Sequence, residues 1–390
     1  MPKQTPVIIA TFLLLATAGF LYISWGEGFD VNFGASRVES FAPGDFFIDF
    51  DGTVLYQSAS DELGFYIFGR RNIRRYDIEG NRLWERTTSH ANPTSVQGGN
   101  YIGISAYRAR AYYAFGPYGA LYTIATENDI LSYHIACNGY SAILSVTDYG
   151  SYHMEVFNTA GMRVWQRILK ERNVFPISMA ISPDATTLIV SYLDTSGHTI
   201  LSYICAYHIY AEGSMSYDDG LFASFSQIEG EIISRVAFID SKHLMYSSDG
   251  RVGMYIIDYE SRISHVWSRI LENQAVFVEV VRGVGVAVAY GRPLPGAEGV
   301  PEGTFVIYGL EGWELATYFM SGGIRYLSTG SGAAIIGGGA LRRDFAAIDY
   351  NNQVVWEYTA TSDVLDFVIL DSPMRALIVT PMRMQIMEAR

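Results

Sequence analysis

Short apolar and aromatic segments alternate with polar turns along the chain, and no run of helical period appears after about residue 45. Alternation of apolar and polar residues over four to eight positions is typical of a half-buried β-strand. The segments Ile177–Ile181, Thr187–Tyr192 and Ile200–Tyr207 form one such set, with Ser182–Asp184 between the first two. The pattern predicts an all-β chain of short hairpins.

A second set of strands follows the first. The segments Arg235–Ile239, Leu244–Ser247, Gly253–Asp258 and His265–Arg269 have strand composition, and Asp249-Gly250 supplies a turn within the set. Asp-Gly between two apolar runs is a common hairpin signal. The two sets together predict four-stranded units that repeat along the chain.

One turn recurs through the sequence. Residues 77–84 (DIEGNRLW), 158–165 (NTAGMRVW) and 349–356 (DYNNQVVW) begin with Asp or Asn, have Gly or Asn fourth, and end in an aliphatic residue and Trp. An Asx side chain can bond the backbone two residues on, and Gly or Asn tolerates a positive φ. The aliphatic–Trp pair then opens a strand with one large side chain to bury.

Weaker copies complete the series, so that the turns begin at residues 77, 116, 158, 210, 258, 309 and 349. A period of about 40–50 residues with about four strands is typical of a β-propeller blade. After the seventh turn, Val364–Leu370, Arg375–Thr380 and Arg383–Met387 lack a fourth strand, which a segment around Arg37–Phe41 could supply. The sequence predicts eight blades closed by both termini, with seven as the alternative.

The N-terminal region predicts a membrane anchor. Val7–Trp25 is apolar and free of charge, and it is about long enough to cross a bilayer. Lys3 precedes it and Glu27 follows, which predicts a cytoplasmic N-terminus. A cleaved signal peptide with a site at Ala16–Ala18 is the alternative. We expect residues 1–26 to form the tail and anchor, 27–40 a linker, and 41–390 an extracytoplasmic propeller in the cell membrane.

Composition narrows the partners. The chain has 390 residues, 49% hydrophobic and 14% aromatic including 28 Tyr, which suits a large aromatic-rich β-structure. Its formal net charge of −13 argues against nucleic acid, which needs a basic surface. The two cysteines, Cys137 and Cys205, are too few for a disulfide framework. The sequence favours two buried free thiols over a single bridge between them.

The segment Ile48–Leu55 (IDFDGTVL) has the form of the first motif of haloacid-dehalogenase-type phosphatases. That mechanism needs a strand–loop–helix unit in a doubly wound sheet. The segments that follow, Phe65–Phe68 and Ile73–Ile78, have strand composition instead. We interpret Asp51-Gly52 as one more turn between propeller strands.

The remaining chemical signals are weak. His134/Cys137 and Cys205/His208 have metal-like spacing, but residues three apart on a strand point to opposite faces. No nucleophile-elbow or zinc-protease motif is present in the sequence. The sequence therefore names no catalytic, cofactor-binding or metal-binding residue, and the protein is more readily a non-enzyme.

Three other stretches stand out. The residues Arg70, Arg71, Arg74 and Arg75 form a basic cluster that Arg342-Arg343 echoes; we interpret it as a solvated turn pairing with Asp77 and Glu79, with binding of an anionic polymer as the alternative. Gly291–Gly303 (GRPLPGAEGVPEG) predicts an exposed loop without strand residues, and a partner-binding loop is the sharper hypothesis. Gly330–Gly339 predicts tight turns around a small inner strand.

The anchor, the repeated turns and the segment 178–197, with SMAISPD at its start and VSYLDTSG at its end, resemble an uncharacterised family. Its members are single-pass proteins of clostridial-type Gram-positive bacteria with a WD40/quinoprotein-like propeller outside the membrane. The resemblance implies fold and topology and no catalytic residues. Quinoprotein dehydrogenases share a similar Gly-plus-Trp turn, but they need a calcium–quinone site, often beside adjacent cysteines, and this chain lacks such a pair.

These observations favour a membrane-anchored scaffold that binds an envelope protein or a cell-wall polymer. The alternative is an extracellular glycan-acting enzyme with two carboxylates at the mouth of the propeller funnel. Fold alone does not decide between them. Converging acidic side chains in the funnel would favour the enzyme.

Overall fold

A computed structural model describes residues 41–49, 57–61, 63–69, 71–90, 93–209, 220–258, 260–294, 299–330 and 332–389. Within these ranges, no helix is long and apolar enough to cross a membrane. The predicted anchor at 7–25 and the linker at 27–40 lie outside the described residues.

The strands form eight four-stranded antiparallel sheets, each a blade of a propeller. Blades 1 to 4 comprise β2 Gln57–Asp61, β3 Gly64–Phe68, β4 Asn72–Tyr76, β5 Arg82–Thr87; β6 Thr94–Gly98, β7 Tyr101–Ser105, β8 Ala111–Gly116, β9 Gly119–Ala125; β10 Asp129–Ile135, β11 Ser141–Val146, β12 Tyr152–Phe157, β13 Arg163–Leu169; and β14 Val174–Ile181, β15 Thr187–Asp194, β16 Leu201–His208, β17 Leu221–Glu229. Blades 5 to 8 comprise β18 Ile233–Phe238, β19 His243–Ser248, β20 Arg251–Ile257, β21 Ile263–Ile270; β22 Asn273–Val281, β23 Gly285–Pro293, β24 Thr304–Gly309, β25 Glu314–Phe319; β26 Ile324–Gly330, β27 Ala333–Gly338, β28 Asp344–Asp349, β29 Val354–Thr359; and β30 Asp366–Ile369, β31 Arg375–Val379, β32 Arg383–Ala389, β1 Phe41–Asp49.

The prediction of eight blades is confirmed, and both termini share the last one. The strand β1 pairs antiparallel with β32, from Phe41 opposite Ala389 to Asp49 opposite Arg383. The closing strand therefore begins where the predicted segment around Arg37–Phe41 ends, and residues 37–40 lie outside the described residues. The strand β1 therefore covers the edge of β32 and is itself the outer strand of the last blade.

The order of strands divides the propeller into two faces. The first strand of each blade lies innermost, next to the first strands of the neighbouring blades, and the fourth strand is outermost. Hairpins that join the first to the second and the third to the fourth strand lie on one face, here called the turn face. Hairpins that join the second to the third strand, and the links between blades, lie on the opposite loop face.

Capping by Asx side chains explains the repeated turn. In each of four turns the first residue accepts backbone N–H bonds from the residues two and four positions on, at 2.7–3.1 Å. The fourth residue has a positive φ between 64° and 92° in three of these turns and of 60° in the other. The capping residues are Asp77, Asn158, Asp258 and Asp349.

The tryptophans that follow these turns join neighbouring blades. Each indole N–H of three of them donates to a backbone carbonyl in a turn of the next blade: Trp84 to Pro117 at 3.3 Å, Trp267 to Leu310 at 3.0 Å, and Trp356 to Pro373 at 2.7 Å. Trp165 is also buried, with its ring 5.4 Å from that of Tyr207 in blade 4. These rings close the outer part of four blade junctions.

Two junctions add a buried tyrosine pair. In blades 4 and 6, tyrosines of the second and third strands share a hydrogen bond of 2.9 Å, and an arginine two residues after the preceding blade's Trp stacks on one ring. The sets are Tyr192, Tyr207 and Arg167, and Tyr290, Tyr308 and Arg269. Burial raises the pKa of each of these tyrosines, so they stay neutral and hydrogen-bonded.

The weaker turn copies differ from the full motif. The turn at Gly116 is a two-residue hairpin in which Gly116 pairs with Gly119. In the turn at Gly309, the Trp lies at position 313 and is 71% exposed, while Ala316 occupies the register position of the buried tryptophans. The predicted turn at residue 210 lies outside the described residues.

Candidate interaction surface

The phosphatase-like segment lies in the wrong kind of sheet for that chemistry. Asp49 is the last residue of β1, an outer strand that runs antiparallel to β32. A phosphatase of that class needs its nucleophile after a strand of a parallel, doubly wound sheet, with a helix behind it. Propeller strands β1 and β2 lie on either side of this segment, while the predicted turn at Asp51-Gly52 falls in residues 50–56, outside the described residues.

Neither His/Cys pair belongs to a larger described group of metal-ligating side chains. Among the described residues, no group of three His, Cys, Asp or Glu side chains is placed to hold a metal ion. Cys137 and Cys205 are free thiols in different blades. Cys205 is buried, as predicted, but Cys137 is exposed because it lies in the turn between β10 and β11.

The channel that the inner strands surround carries few described acidic groups. The described inner strands contain four acidic residues, Asp61, Asp129, Glu279 and Asp366, and contacts are described for the side chains of Asp129 and Glu279. Both oxygens of Glu279 accept bonds from Arg235, at 2.8 and 2.7 Å, and Arg235 also donates to the carbonyl of Val278. Asp129 is likewise bound by two arginines. Carboxylates engaged in this way are poor candidates for general acid and base.

His134 lies between the inner strands of blades 3 and 4. Its Nδ1 accepts a long bond, 3.4 Å, from the backbone N–H of Ile181. Burial, with the positive charges of Arg235 and Arg282, lowers the pKa of His134 to about 4. The imidazole is therefore neutral at physiological pH and acts as a hydrogen-bond acceptor at the junction.

The interpretation of the basic cluster as a solvated turn was wrong for Arg74 and Arg75, whereas Arg71 is exposed and Arg70 lies outside the described residues. Arg75 is fully buried in β4, with its guanidinium 4.2 Å from the ring centroid of Tyr66. Arg74 pairs with Glu85 at 3.2 Å instead of Asp77 or Glu79. Neighbouring strand residues point to opposite faces, so the two arginines cannot present one surface.

Arg343 also finds a partner on its own face, since its guanidinium lies 2.8 Å from Asp363. Like Arg74, it belongs to an ion pair of the described surface. The charge of the second arginine pair is therefore partly neutralised by an acidic neighbour, while Arg342 is exposed.

The loop at Gly291–Gly303 was predicted to lack strand residues, and this is wrong at its start. Residues 291–293 continue β23, which runs from Gly285 to Pro293. Asn273 joins the two ends of the loop, because its amide donates to the carbonyls of Gly291 and Val300, at 2.7 and 2.8 Å. Pro301 and Glu302 are exposed, as expected for a loop. Farther along, β27 (Ala333–Gly338) confirms a short strand in the glycine-rich segment, although it is the second strand of its blade.

A surface on the loop face combines aromatic and arginine side chains from two blades. The loop between β7 and β8 carries Tyr107, 74% exposed, with Arg108 and Arg110, and the next blade carries Tyr149, 98% exposed. We call Tyr107, Arg108, Arg110, Asp148 and Tyr149 the tyrosine–arginine surface.

Asp129, the first residue of β10, holds this surface together. Its two oxygens accept bonds from Nε of Arg108 and Nε of Arg110, at 2.9 and 3.0 Å. Arg110 also lies 3.7 Å from Asp148 in the loop of blade 3. Arg110 and Arg108 hold the pKa of the Asp129 carboxyl below its usual value, so it stays ionised.

The backbone of this loop is fixed as well. Arg108 has φ of 60°, a left-handed conformation that costs a non-glycine residue energy. It is held there because its N–H donates to Ile130 at 2.8 Å, while the N–H of Ile130 donates to Ala109 at 2.9 Å. Strained backbone that its surroundings fix in place is a common feature of binding sites.

The chemistry of the surface fits recognition of a protein. Tyrosine and arginine are enriched in the energetically dominant parts of protein interfaces. A preorganised loop loses little conformational freedom when it binds. This surface was not predicted from the sequence because its residues come from different blades, although Tyr-Arg-Ala-Arg at residues 107–110 was a visible signal.

Comparison with known proteins agrees with the fold. The profile of a family of unknown function, DUF5711, matches residues 62–388. The chain belongs to this family. A search of curated proteins found no match. The match supports the predicted resemblance to an uncharacterised propeller family.

Solved structures also share the fold. BamB from Moraxella catarrhalis superposes with a TM-score of 0.52 at 14% identity, over 90% of this chain and 100% of that one. Sqt1 from Chaetomium thermophilum gives 0.54 at 12% identity, over 90% and 100%. The Cps50 (Swd1) β-propeller domain from Myceliophteria thermophila gives 0.51 at 9% identity, over 78% and 96%. At these identities the likeness shows the propeller fold alone.

Proposed function

We propose that this DUF5711 protein is a membrane-anchored, extracytoplasmic scaffold that binds a partner protein and performs no catalysis. The observation that carries the proposal is the tyrosine–arginine surface. It is exposed, rich in the residue types that dominate interfaces, and held rigidly by Asp129. The described carboxylates Asp129 and Glu279 are bound to arginines, which gives the glycan-acting alternative no support.

The predicted anchor sets the proposed location. The apolar run Val7–Trp25, with Lys3 before it and Glu27 after it, supports a propeller outside a single membrane. In a Gram-positive envelope, as the family resemblance implies, the partner is a second envelope protein. A cell-wall polymer is the competing ligand that the binding test must separate.

The two cysteines allow the location to be tested with native residues. Cys137 is exposed and Cys205 is buried. A membrane-impermeant maleimide added to intact cells should label the wild-type chain and Cys205→Ser, but not Cys137→Ser. Labelling of the wild-type chain only after cell lysis would contradict an extracytoplasmic propeller.

Binding is tested by cross-linking the full-length protein in native membranes and identifying bound proteins by mass spectrometry. The combined variant Tyr107→Ala, Arg108→Ala, Tyr149→Ala should lose a reproducible set of proteins. The matched control is Leu341→Ala with Met382→Ala, which alters loop-face residues of blades 7 and 8 with 75% and 73% exposure. Equal capture by both variants, or capture of wall glycan without protein, would contradict the proposal.

A further inference from the structure

The outer strand of each blade has one side without a described partner strand, and these edges differ in their protection. Among the described outer strands, β9 (GALYTIA) is the one that has neither a charged residue nor a proline. Its register irregularity lies at the turn end, opposite Ala114 and Phe115. Exposed edges are usually protected by charges, prolines or bulges, because an unprotected edge pairs with another strand.

The unpaired groups of β9 can be identified from its pairing with β8. Thr126 donates its N–H to the carbonyl of Arg110, and Ala125 lies opposite Ala111. Since hydrogen-bonding direction alternates along an antiparallel strand, the N–H and C=O groups of Thr123 and Ala125, which lie between this bond and the irregularity, point away from β8. No described strand pairs with that side.

We propose that the outer edge of β9 accepts an extended segment of the partner protein as a fifth strand of blade 2. This inference rests on the proposed scaffold function and extends the same binding region. Arg110 lies beside the loop-face end of β9 through the Thr126 bond, and Tyr118, 95% exposed, lies at its turn-face end. Main-chain bonds along the edge would give affinity, and the flanking side chains would give specificity.

Charge and side-chain size define the occupant. The formal net charge of −13 makes two copies of this chain repel each other, so a second copy is disfavoured and a basic partner is favoured. The edge residues Leu121, Thr123 and Ala125 are exposed and uncharged. The added strand should therefore present apolar or small side chains to them at every second position.

The test uses the purified full-length protein and a phage-displayed library of random peptides of about ten residues, enough to cover a strand of this length. Thr123→Pro removes an outward N–H without removing a bond to β8, and Thr123→Lys adds a protecting charge. The matched controls are Ser268→Pro and Ser268→Lys in β21, where the bond from Leu271 to Gly250 places the Ser268 N–H on the outer edge.

Selected peptides should alternate apolar and polar residues and should slow hydrogen exchange of the Thr123 and Ala125 amides. Their affinity should fall by about tenfold or more in both Thr123 variants, which corresponds to about 1.4 kcal/mol, and should be unchanged in both controls. A library without enriched peptides, or peptides that bind the Thr123 variants as tightly as the wild type, would overturn the inference.

The membrane cross-linking experiment separates this inference from the proposed function. If Thr123→Pro captures the same proteins as the wild type while the combined tyrosine–arginine variant does not, the scaffold stands and the added strand is wrong. If peptides bind the edge but the wild type captures no protein, the scaffold is wrong and the edge remains a peptide site.

Discussion

The odd-numbered and even-numbered blades differ in the turn that leads into the outer strand and in the residue at one register position of that strand. Blades 1, 3, 5 and 7 have an Asx-capped turn and a tryptophan, whereas blades 2, 4 and 6 have Tyr122, Ala223 and Ala316 at the same register position. The turns of blades 2 and 6 begin with glycine. Blades 1 to 7 therefore alternate between two types, and each odd blade supplies a large ring to the even blade after it.

The difference shows that the aromatic residues that stabilise the blade junctions and those that are exposed to solvent belong to different turns. Trp267 packs on Gly312, in the turn of blade 6. The even turns need no tryptophan of their own, and they expose their aromatic residues instead: Tyr118 in blade 2 and Trp313 in blade 6. The proposed binding elements of blade 2, which are its Tyr107–Arg110 loop and the edge of β9, lie in an even blade.

The largest expected effect comes from removing one of the tryptophans that join an odd blade to the even blade after it. Trp356 is fully buried, stacks on Phe41 with ring centroids 4.0 Å apart, and donates to Pro373. Trp356→Ala should lower the free energy of unfolding by about 3–5 kcal/mol, because it leaves a cavity and breaks this bond. The matched change Trp313→Ala, in the exposed even turn, should cost less than about 0.5 kcal/mol. Equal losses by chemical denaturation would contradict the division.

A second test adds a side chain where one of these tryptophans packs on the turn of the next blade. A Cβ at Gly312 would lie 2.7 Å from Trp267, at a φ of 83°, so Gly312→Ala should destabilise by about 2–4 kcal/mol. Gly119, at φ of 132°, has no atom within 4 Å of its added Cβ, and Gly119→Ala should cost about 1 kcal/mol from backbone strain alone. Thermal unfolding measures the loss of stability in both variants. A loss for Gly312→Ala no larger than that for Gly119→Ala would mean that the ring of Trp267 does not pack on that turn.

The comparison can be sharpened on the inner side of an odd-to-even junction, where His134 of blade 3 meets Ile181 of blade 4. The folded pKa of about 4 lies below the unfolded value of about 6.5. Neutral His134 therefore gives stability that is complete above pH 6.5 and is lost as the pH falls toward 4. The loss should be on the order of 2 kcal/mol, given partial solvent exposure.

Chemical denaturation at several pH values measures this loss. The variant His134→Gln should lose that part of the pH dependence while Trp165→Ala, on the outer strand of the same blade, keeps it. The same slope in wild type and His134→Gln would mean that other groups carry it.

The smallest expected effect concerns the caps. Asp349 accepts from the backbone N–H groups of Asn351 and Gln353, at 3.0 and 2.7 Å. Asp349→Ala should cost about 1 kcal/mol through the loss of these bonds, with Asp349→Asn restoring most of it. A neutral Asp349→Ala in denaturant titrations would show that the turn forms without its cap.

The sequence predicted the features that depend on residues close to one another along the chain. The Asx residue, the positive-φ residue and the tryptophan act within one turn, so their spacing located the outer strands and the blade number. The burial of Arg75, the exposure of Cys137 and the tyrosine–arginine surface depend on which residues other strands bring near. The alternation of odd and even blades was present in the spacing of Trp84, Trp165, Trp267 and Trp356. The role of these residues became clear only from their contacts with the next blade in the structure.

We propose above all that the partner binds to blades 2 and 3, and that the tryptophans at the blade junctions take no part in this binding. The direct measurement is the yield of cross-linked partner across single alanine variants of exposed loop-face residues, each folded to the wild-type extent: Tyr107, Tyr149, Ile270, Phe319, Leu341 and Met382. Losses confined to Tyr107→Ala and Tyr149→Ala are the predicted result. Losses centred on blades 5 to 8, with both tyrosine variants unaffected, would contradict the account.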